Sequence, residues 1–210
     1  MLVADPQPWR ERWQQGTTGW DLGAPHRLTR ELIALARSLG RWPSPPLIVY
    51  IPGAGRAHDA LEFTHEGCTV VAADFAPEAI AAARHLYAGV AGIQFAVEDV
   101  LTVDPIDVAR YDVVFDRAML CALDPPLREA YVRALAQRLK PGGLFLGLPF
   151  LRVLRENSGR PPFEISPHTV TGLFAKEFDL VALETRTDGH CDEVIGAEML
   201  AIFQRRVAGG

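Results

Sequence analysis

The chain has 210 residues and a formal net charge of -5 at pH 7, and this length fits one α/β domain with a substantial core. Hydrophobic residues make up 49% and charged residues 22%, which is typical of a globular protein rather than a disordered one. The acidic excess argues against a nucleic-acid partner, because a nucleic-acid groove normally carries an excess of basic side chains.

Two helices are predicted before the first strand. Residues 1–24 contain Trp9, Trp13 and Trp20. Because Trp9 and Trp13 are four residues apart, a short helix would place them on one face. These rings could pack the helix against the core, or they could form one wall of a ligand site. A second, amphipathic helix is predicted over residues 25–40.

A glycine turn after the first strand is predicted to bind a nucleotide-type ligand. Residues 47–51 form an apolar run typical of a buried parallel strand. Gly53 and Gly55 follow and allow a sharp turn that comes close to a ligand. A helix over residues 57–66 would then point its N-terminal amides at that ligand. Asp74 ends the next strand, where a carboxylate can accept hydrogen bonds from both ribose hydroxyls, although it could instead be a helix cap or a solvated strand end.

Strands and helices continue to alternate as far as residue 150. After the helix that opens at Pro77, the predicted elements are strands at 93–97, 111–116 and 144–148 and a helix at 124–139. A loop is predicted over residues 151–163, then a helix over 167–176 and strands over 178–186 and 197–205. Since no helix separates the last two strands, they are expected to be antiparallel. Together these patterns predict an α/β fold with helices on both faces and ligands at the carboxyl ends of the strands.

Two residues bear on which nucleotide is bound. His58 stands where a dinucleotide fingerprint has its third glycine, and this argues against a nicotinamide enzyme. Asp99 follows the third strand, where a carboxylate can meet the exocyclic amine of an adenine. Asp99 could also be a helix cap or a solvated strand end.

The cysteines and the apolar runs indicate which classes of protein this chain does not belong to. Cys68, Cys121 and Cys191 are too few and too scattered for a disulfide framework or a zinc site. The stretch at residues 190–193 reads His-Cys-Asp-Glu, but adjacent side chains rarely converge on one ion, so no metal is predicted. No signal peptide and no apolar run near 18 residues are evident, so we expect a soluble cytoplasmic protein without a membrane partner.

Several separate segments resemble one known family. It is the thiopurine methyltransferase family of class I S-adenosylmethionine-dependent methyltransferases, which includes bacterial members and plant halide/thiol methyltransferase relatives. The matching segments are Trp9–Trp20, Ile51–Ala60, Val113–Tyr131, Lys140–Gly143 and Pro161–Phe174. The resemblance implies a Rossmann-like, seven-stranded sheet with five parallel strands, a C-terminal antiparallel hairpin and an N-terminal helical cover over the cofactor. The implied cofactor is S-adenosylmethionine, and its product is S-adenosylhomocysteine.

The resemblance also implies site residues. The cofactor-binding positions are Trp9, Trp13, Gly53, Ala54, Gly55, Asp74, Phe75, Asp99, Val100, Asp116 and Arg117. Among them, Gly53 would lie against the methionine portion and Asp74 would hold the ribose. Trp20 matches an aromatic position that faces the substrate, and Arg117 matches an arginine near both cofactor and acceptor.

A methyl transfer to a soft nucleophile needs alignment and a dry pocket more than a strong base. The side chains that could line this pocket or attract an anion are Trp20, Met119, Phe163, Arg117, Arg152 and Arg160. An arginine there would draw in an anion or depress the pKa of a thiol. For Arg152 and Arg160, a solvated loop is the alternative interpretation.

The sequence therefore predicts a monomeric cytoplasmic methyltransferase that acts on a small thiol or a similar soft nucleophile. The alternatives are a halide, thiocyanate or metalloid acceptor, and a module that binds the cofactor without turnover. One domain is expected over residues 1–210, with a helical cover at 1–45, a cofactor-binding core at 46–150, and the substrate loop and hairpin at 151–210.

Overall fold

One mixed β-sheet organises the protein. The computed structural model describes residues 7–153, 161–189 and 195–207. The strands are β1 Ile48–Pro52, β2 Thr69–Asp74, β3 Ile93–Val97, β4 Tyr111–Arg117, β5 Leu139–Leu148, β6 Phe150–Val153, β7 Phe178–Arg186 and β8 Ile195–Arg205. Their order across the sheet is β3-β2-β1-β4-β5-β8, and β6 and β7 both pair with β8.

The predicted division into a parallel core and an antiparallel end is confirmed. Strands β1 to β5 pair in parallel, whereas β8 is antiparallel to β5, β6 and β7. The described residues form eight strand segments rather than seven, because the chain continues along β8 as β6 after an interruption at Pro149. The carbonyl of Pro149 accepts a 2.9 Å hydrogen bond from the Met199 amide. The prediction of a loop from residue 151 is therefore wrong for Leu151–Val153, which belong to β6.

Seven helices accompany the sheet within the described part of the chain. They are α1 Gln7–Gln15, α2 Arg27–Ser38, α3 Ala60–His65, α4 Pro77–Leu86, α5 Met119–Ala122, α6 Arg128–Arg138 and α7 Pro167–Phe174. Single 3₁₀ turns occur at Pro105–Asp107 and Pro125–Leu127.

Three predicted helix or strand boundaries differ from the structure by more than two residues. The helix after the glycine turn begins at Ala60 rather than residue 57, because Ala57 has a positive φ of 59° that a helix cannot contain. The helix predicted from residue 124 begins at Arg128, after the 3₁₀ turn formed by consecutive prolines. The Lys-Pro-Gly-Gly segment at 140–143 does not separate a helix from a strand, since it lies inside β5.

Helices cover both faces of the sheet, as predicted. On one face Tyr131, Leu135 and Phe174 from α6 and α7 pack in the first hydrophobic cluster. On the other face Leu32 of α2 and Phe63 of α3 pack in the second cluster. Because apolar burial is the main favourable contribution to folding, this sheet-centred core is what fixes the strand ends in space.

The topology places a crevice at one edge of the sheet. Strand β1 pairs with β2 on one side and with β4 on the other, so the chain order reverses there. In open α/β sheets, ligands bind outside the carboxyl ends of the strands at such a reversal. Among the described residues, no helix is long and apolar enough to cross a membrane.

Candidate active site

A cleft of about 530 Å³ opens at the carboxyl ends of β1, β2 and β4. This volume lies within the range of roughly 300–1,000 Å³ that is usual for small-molecule sites. The predicted residues that line it are Trp9, Trp13, Trp20, Gly53, Ala54, Gly55, Asp74, Phe75, Asp99, Val100, Arg117 and Met119. The structure thus brings together segments that are more than 100 residues apart in the sequence.

The glycine turn after β1 forms the floor of the cleft. Gly53 and Gly55 have φ angles of 58° and 55°, a left-handed conformation that favours glycine. A Cβ atom on Gly53 would lie 2.6 Å from the sulfur of Met119, and one on Gly55 would lie 3.3 Å from the Trp13 ring. A side chain at either glycine would therefore have to displace Met119 or Trp13, and its absence allows a ligand to approach the backbone closely.

Asp74, at the end of β2, is buried beside this turn. Its Oδ2 accepts a 3.0 Å hydrogen bond from the Gly55 amide, and its Oδ1 accepts a 2.9 Å hydrogen bond from the Ala76 amide. Burial raises the pKa of Asp74, and the backbone donors oppose that rise. A carboxylate oxygen can accept two hydrogen bonds, so each oxygen keeps a lone pair for a hydroxyl donor. This pair of acceptor oxygens fits the two hydroxyls of the ribose of S-adenosylmethionine.

The end of the cleft beyond Asp74 is formed by the residues after β3. The Oδ1 atom of Asp99 accepts a 2.9 Å hydrogen bond from the Leu101 amide, so this carboxylate also stabilises the local turn. Glu98 lines the cleft as well and was missed from the sequence. It accepts a hydrogen bond from the Tyr50 hydroxyl and lies 3.5 Å from the buried Arg138 guanidinium. The one available signal was a tyrosine inside an otherwise aliphatic strand.

Helix α1 covers the cleft, and its tryptophans face the cleft rather than the core. The Trp20 ring contacts those of Trp9 and Trp13 edge to face, with centroids 5.2 Å and 5.9 Å away. None of the α1 residues is fully buried. The helix is tied to α4 by Glu78, which is 3.1 Å from the Arg10 guanidinium.

Arg117, at the end of β4, is held in position by two contacts. Its Nε donates to Oδ2 of Asp59 over 3.2 Å, and its Nη2 donates to the Trp20 carbonyl over 3.3 Å. The other oxygen of Asp59 accepts from the His26 amide at 2.8 Å and from the Thr29 hydroxyl at 2.7 Å. Asp59 was missed from the sequence, and it links the start of α2 to the arginine of the cleft.

Asp116 was predicted to contact the cofactor, but it does not line the cleft. It is buried and accepts hydrogen bonds from the Met119 amide at 2.8 Å, the Leu120 amide at 3.1 Å and the Tyr131 hydroxyl at 2.7 Å. Burial raises the pKa of Asp116 to about 6, although these donors and Arg117 oppose the rise. Asp116 positions the turn that presents Met119 and Arg117.

The predicted substrate loop is placed only in part. Phe163 does not line the cleft, because its ring packs 5.7 Å from the Arg128 guanidinium and its amide donates to the Cys121 carbonyl. The neighbouring Pro161 and Pro162, joined by a cis peptide bond, line the cleft instead. Arg160, the side chain of Arg152 and the 190–193 stretch lie outside the described residues.

His58 has a structural role that explains why this position is not a glycine. Its Nε2 lies 2.9 Å from Oδ1 of Asp21, and its Nδ1 lies 2.6 Å from the Tyr87 hydroxyl. Arg56 also pairs with Asp21. Burial acts to raise the pKa of Asp21, but hydrogen bonding to the Gly23 amide and the charges of His58 and Arg56 lower it overall. This cluster joins the segment after α1 to the glycine turn.

Comparison with known proteins identifies the family. The model of the thiopurine S-methyltransferase (TPMT) family matches residues 4–199. An Arabidopsis thaliana protein named "Probable thiol methyltransferase 2" is 29% identical over 75% of this chain and 67% of its own length. A thiopurine S-methyltransferase of Nitrosospira multiformis is 28% identical over 82% of each chain.

A solved structure agrees with the fold. The Burkholderia thailandensis 1,6-didemethyltoxoflavin-N1-methyltransferase, bound to 1,6-didemethyltoxoflavin and S-adenosylhomocysteine, superposes with a TM-score of 0.73. The two are 21% identical, and the alignment covers 99% of this chain and 93% of that one. The chain therefore belongs to the thiopurine S-methyltransferase family and is a methyltransferase that uses S-adenosylmethionine.

Proposed function

We propose that this methyltransferase transfers the methyl group to the sulfur of a small thiol or a similar soft nucleophile bound against Trp20 and Met119. The observation that carries this proposal is the meeting of Trp20 and Arg117 at one end of a cleft whose other end contains Asp74. The names of the matched family and of its thiol and thiopurine relatives support the same reaction class.

The cofactor would be bound mainly by backbone groups of the glycine turn and by the tryptophan rings of α1. The proposed cofactor contacts are Trp9, Trp13, Gly53, Ala54, Gly55, Asp74, Phe75, Asp99 and Val100. The glycine turn admits the methionine portion, because no Cβ atom lies in its way at Gly53. Asp74 accepts hydrogen bonds from the ribose hydroxyls, and the residues after β3 border the adenine. The tryptophans of α1 close the cleft from above.

The protein's part in the reaction is to align the two reactants, to exclude water from the attacking sulfur and to favour its thiolate form. When bound, S-adenosylmethionine supplies an electrophilic methyl group on a positively charged sulfur. Trp20 and Met119 present apolar surface that excludes water from the attacking sulfur. The positive charge of Arg117 favours the thiolate over the thiol, so the proton leaves to solvent before the new carbon–sulfur bond forms. A thiolate aligned in this way needs no strong general base.

The proposal extends to organisation and location. We propose one domain over residues 1–210, with a cover at 1–45, a cofactor core at 46–150 and an acceptor loop and hairpin at 151–210. Pairing of β8 with β5 supports one folding unit. We also propose a monomer in the cytoplasm, where the buried free thiols of Cys68 and Cys121 would stay reduced. Light scattering after gel filtration and imaging of the tagged protein test these two points.

The cofactor assignment is tested by calorimetry with S-adenosylhomocysteine. Asp74→Ala is expected to weaken binding by about 1.5–3 kcal/mol, because it removes a charged acceptor from two ribose hydroxyls. Asp179→Ala is the control, since Asp179 is an exposed carboxylate on β7 that pairs with Arg206. If Asp74→Ala binds as tightly as the control, Asp74 does not hold the ribose.

The acceptor assignment is tested with labelled methyl donor and a panel of acceptors. The panel compares aromatic and aliphatic thiols with phenols, thiocyanate and iodide. Methylation of thiols is expected, and Arg117→Gln should shift the acidic limb of the rate–pH profile to higher pH by weakening the thiolate form. If the cofactor binds but no acceptor is methylated, the chain is a binding module rather than an active enzyme. If phenols are methylated in preference to thiols, the proposed acceptor class is wrong.

A further inference from the structure

The charges that line the cleft are unevenly paired. Four arginines of the described residues line it, and three of them pair with carboxylates: Arg10 with Glu78, Arg56 with Asp21 and Arg117 with Asp59. The fourth, Arg12, has no carboxylate within 4.0 Å among the described residues. Arg117 acts on the acceptor with a charge that Asp59 partly offsets, whereas no carboxylate of the described residues offsets the charge of Arg12.

Arg12 is nevertheless held in place. Its guanidinium carbon lies 5.4 Å from the Trp9 ring centroid and 5.7 Å from that of Trp20, so the cation rests on two indoles. A cation–π contact does not use the N–H groups as hydrogen-bond donors to a carboxylate, so an anionic ligand can still accept hydrogen bonds from them. Trp20 is the ring proposed above to contact the acceptor. Arg12 and Arg117 therefore both contact the same acceptor wall, one at its ring and the other at its carbonyl.

We propose that Arg12 recognises a negatively charged group of the methyl acceptor other than the reacting sulfur. The acceptor class is then a thiol that also carries a carboxylate or a comparable anion. This inference rests on the proposed function, because it assigns the substrate class of that same site.

The charge on the reacting sulfur is a poorer match for Arg12. A thiolate loses its negative charge as the methyl group is transferred, so an arginine bound to it would stabilise the ground state more than the transition state. A carboxylate keeps its charge throughout. Arg12 would bind it equally in both states, and this kind of interaction lowers KM and leaves kcat unchanged.

The test compares two acceptors that differ by one charge, thiophenol and 4-mercaptobenzoate, on three variants. Arg12→Gln should raise KM for 4-mercaptobenzoate roughly tenfold more than KM for thiophenol, while kcat for the two acceptors changes by the same factor. Arg12→Lys should restore part of the preference. Arg30→Gln is the matched control, because it removes one positive charge from the exposed face of α2, away from the cleft, where Arg30 pairs with Glu62. Equal changes for both acceptors in Arg12→Gln would overturn the proposal.

The cofactor also carries a carboxylate, and it must be distinguished as the ligand of Arg12. Calorimetry with S-adenosylhomocysteine and with 5′-methylthioadenosine, which lacks the amino-acid portion, makes this distinction. Arg12→Gln is expected to change the affinities of the two ligands by the same factor. If S-adenosylhomocysteine alone binds more weakly, Arg12 serves the cofactor and the proposal is wrong.

Binding and turnover separate this inference from the proposed function. The two acceptors are titrated into the S-adenosylhomocysteine complex, where no methyl transfer is possible. A preference for 4-mercaptobenzoate that disappears in Arg12→Gln supports the inference even if neither acceptor is methylated, in which case the proposed function alone fails. The absence of any such preference in the unaltered protein refutes the inference.

Discussion

The two N-terminal helices are similar in length and differ in what they bury. Helix α2 buries Leu28, Thr29, Leu32, Ile33 and Ala36 against the sheet. Helix α1 carries two tryptophans and has no fully buried residue. The same stretch of chain thus contains one helix that belongs to the core and one whose apolar rings face a ligand cleft.

This difference teaches where the stability of each helix comes from. An isolated helix of 9 residues is marginal in water, and most helix stability in proteins comes from packing an apolar face. For α2 that packing is present in the protein alone. For α1, the cofactor of the proposed function would complete that packing. In the described chain the helix is supported by the Glu78 contacts, by the Trp20 ring and by the Arg56 guanidinium, which lies over Trp13. We therefore expect substitutions in α2 to affect folding and substitutions in α1 to affect binding.

The largest expected effect is on folding, from Leu32→Ala in α2. Leu32 is fully buried, so truncation should lower the free energy of unfolding by about 2–5 kcal/mol through lost burial and a cavity. Urea unfolding measures this change. Leu86→Ala is the control, because Leu86 of α4 is half exposed and should contribute little. The affinity of the folded variant for S-adenosylhomocysteine should not change, and a matched loss of affinity would remove the contrast between α1 and α2.

The second effect concerns Asp116, the buried carboxyl that positions the turn carrying Met119 and Arg117 behind the cleft. Because the pKa of Asp116 is about 6 in the fold, above an unfolded value near 3.9, the fold favours the protonated carboxyl. This contribution is fully present below about pH 4 and is lost as the pH rises through about 6, in total about 3 kcal/mol. Urea unfolding across this range should show that the free energy of unfolding of the unaltered protein falls, relative to that of Asp116→Asn, as the pH rises from about 4 to above 6. Parallel pH profiles for the two would show that Asp116 is ionised without cost.

The third effect is on binding, from Trp13→Ala in α1. Loss of the ring that lies over Gly55 should weaken S-adenosylhomocysteine binding by about 1–2 kcal/mol, because a large aromatic contact is removed. The unfolding free energy of the ligand-free protein should change by less than about 0.5 kcal/mol. Trp42→Ala is the counterpart, since Trp42 packs against the second core cluster and should reduce stability without changing affinity. The comparison fails if the two tryptophan variants behave alike.

The smallest effect concerns the attachment of α1 to α4. Glu78→Gln removes the ion pair with Arg10, a partly exposed contact whose contribution to closure of the cover should be small. Calorimetry should show a less than fivefold loss of S-adenosylhomocysteine affinity that diminishes at high salt. Glu62→Gln, which breaks the distant pair with Arg30, is the control and should leave affinity unchanged. A salt-independent loss would mean that Glu78 acts by some route other than its charge.

Patterns that are local in the sequence were predicted well. The apolar runs gave the parallel strands because a buried strand must be continuously apolar, and the glycines marked the turn because few other residues adopt its positive φ. The cleft lining at Asp74 followed, since the end of the second strand lies beside that turn in any sheet of this order.

Contacts between distant segments were not predictable in the same way. Asp59 supports Arg117 across 58 residues, and Asp21 meets His58 across 37. The sequence carries no periodic signal for such pairs, because they depend on how the helices and loops pack against the sheet. The wrong prediction for Asp116 has the same cause. Its position at a strand end is compatible with a ligand contact or with a structural role, and only its contacts with the Met119 amide and the Tyr131 hydroxyl show the structural role.

The sequence by itself determined the sheet, the glycine turn, the family and the cofactor, because each depends on local patterns or on whole-chain similarity. The tertiary structure decided which side chains face the cleft, since facing is set by packing between elements far apart in the chain. It showed that the tryptophans of α1 line the cleft rather than the core, that Asp116 supports the site from behind, and that Arg12 lies on the acceptor wall without an acidic partner among the described residues.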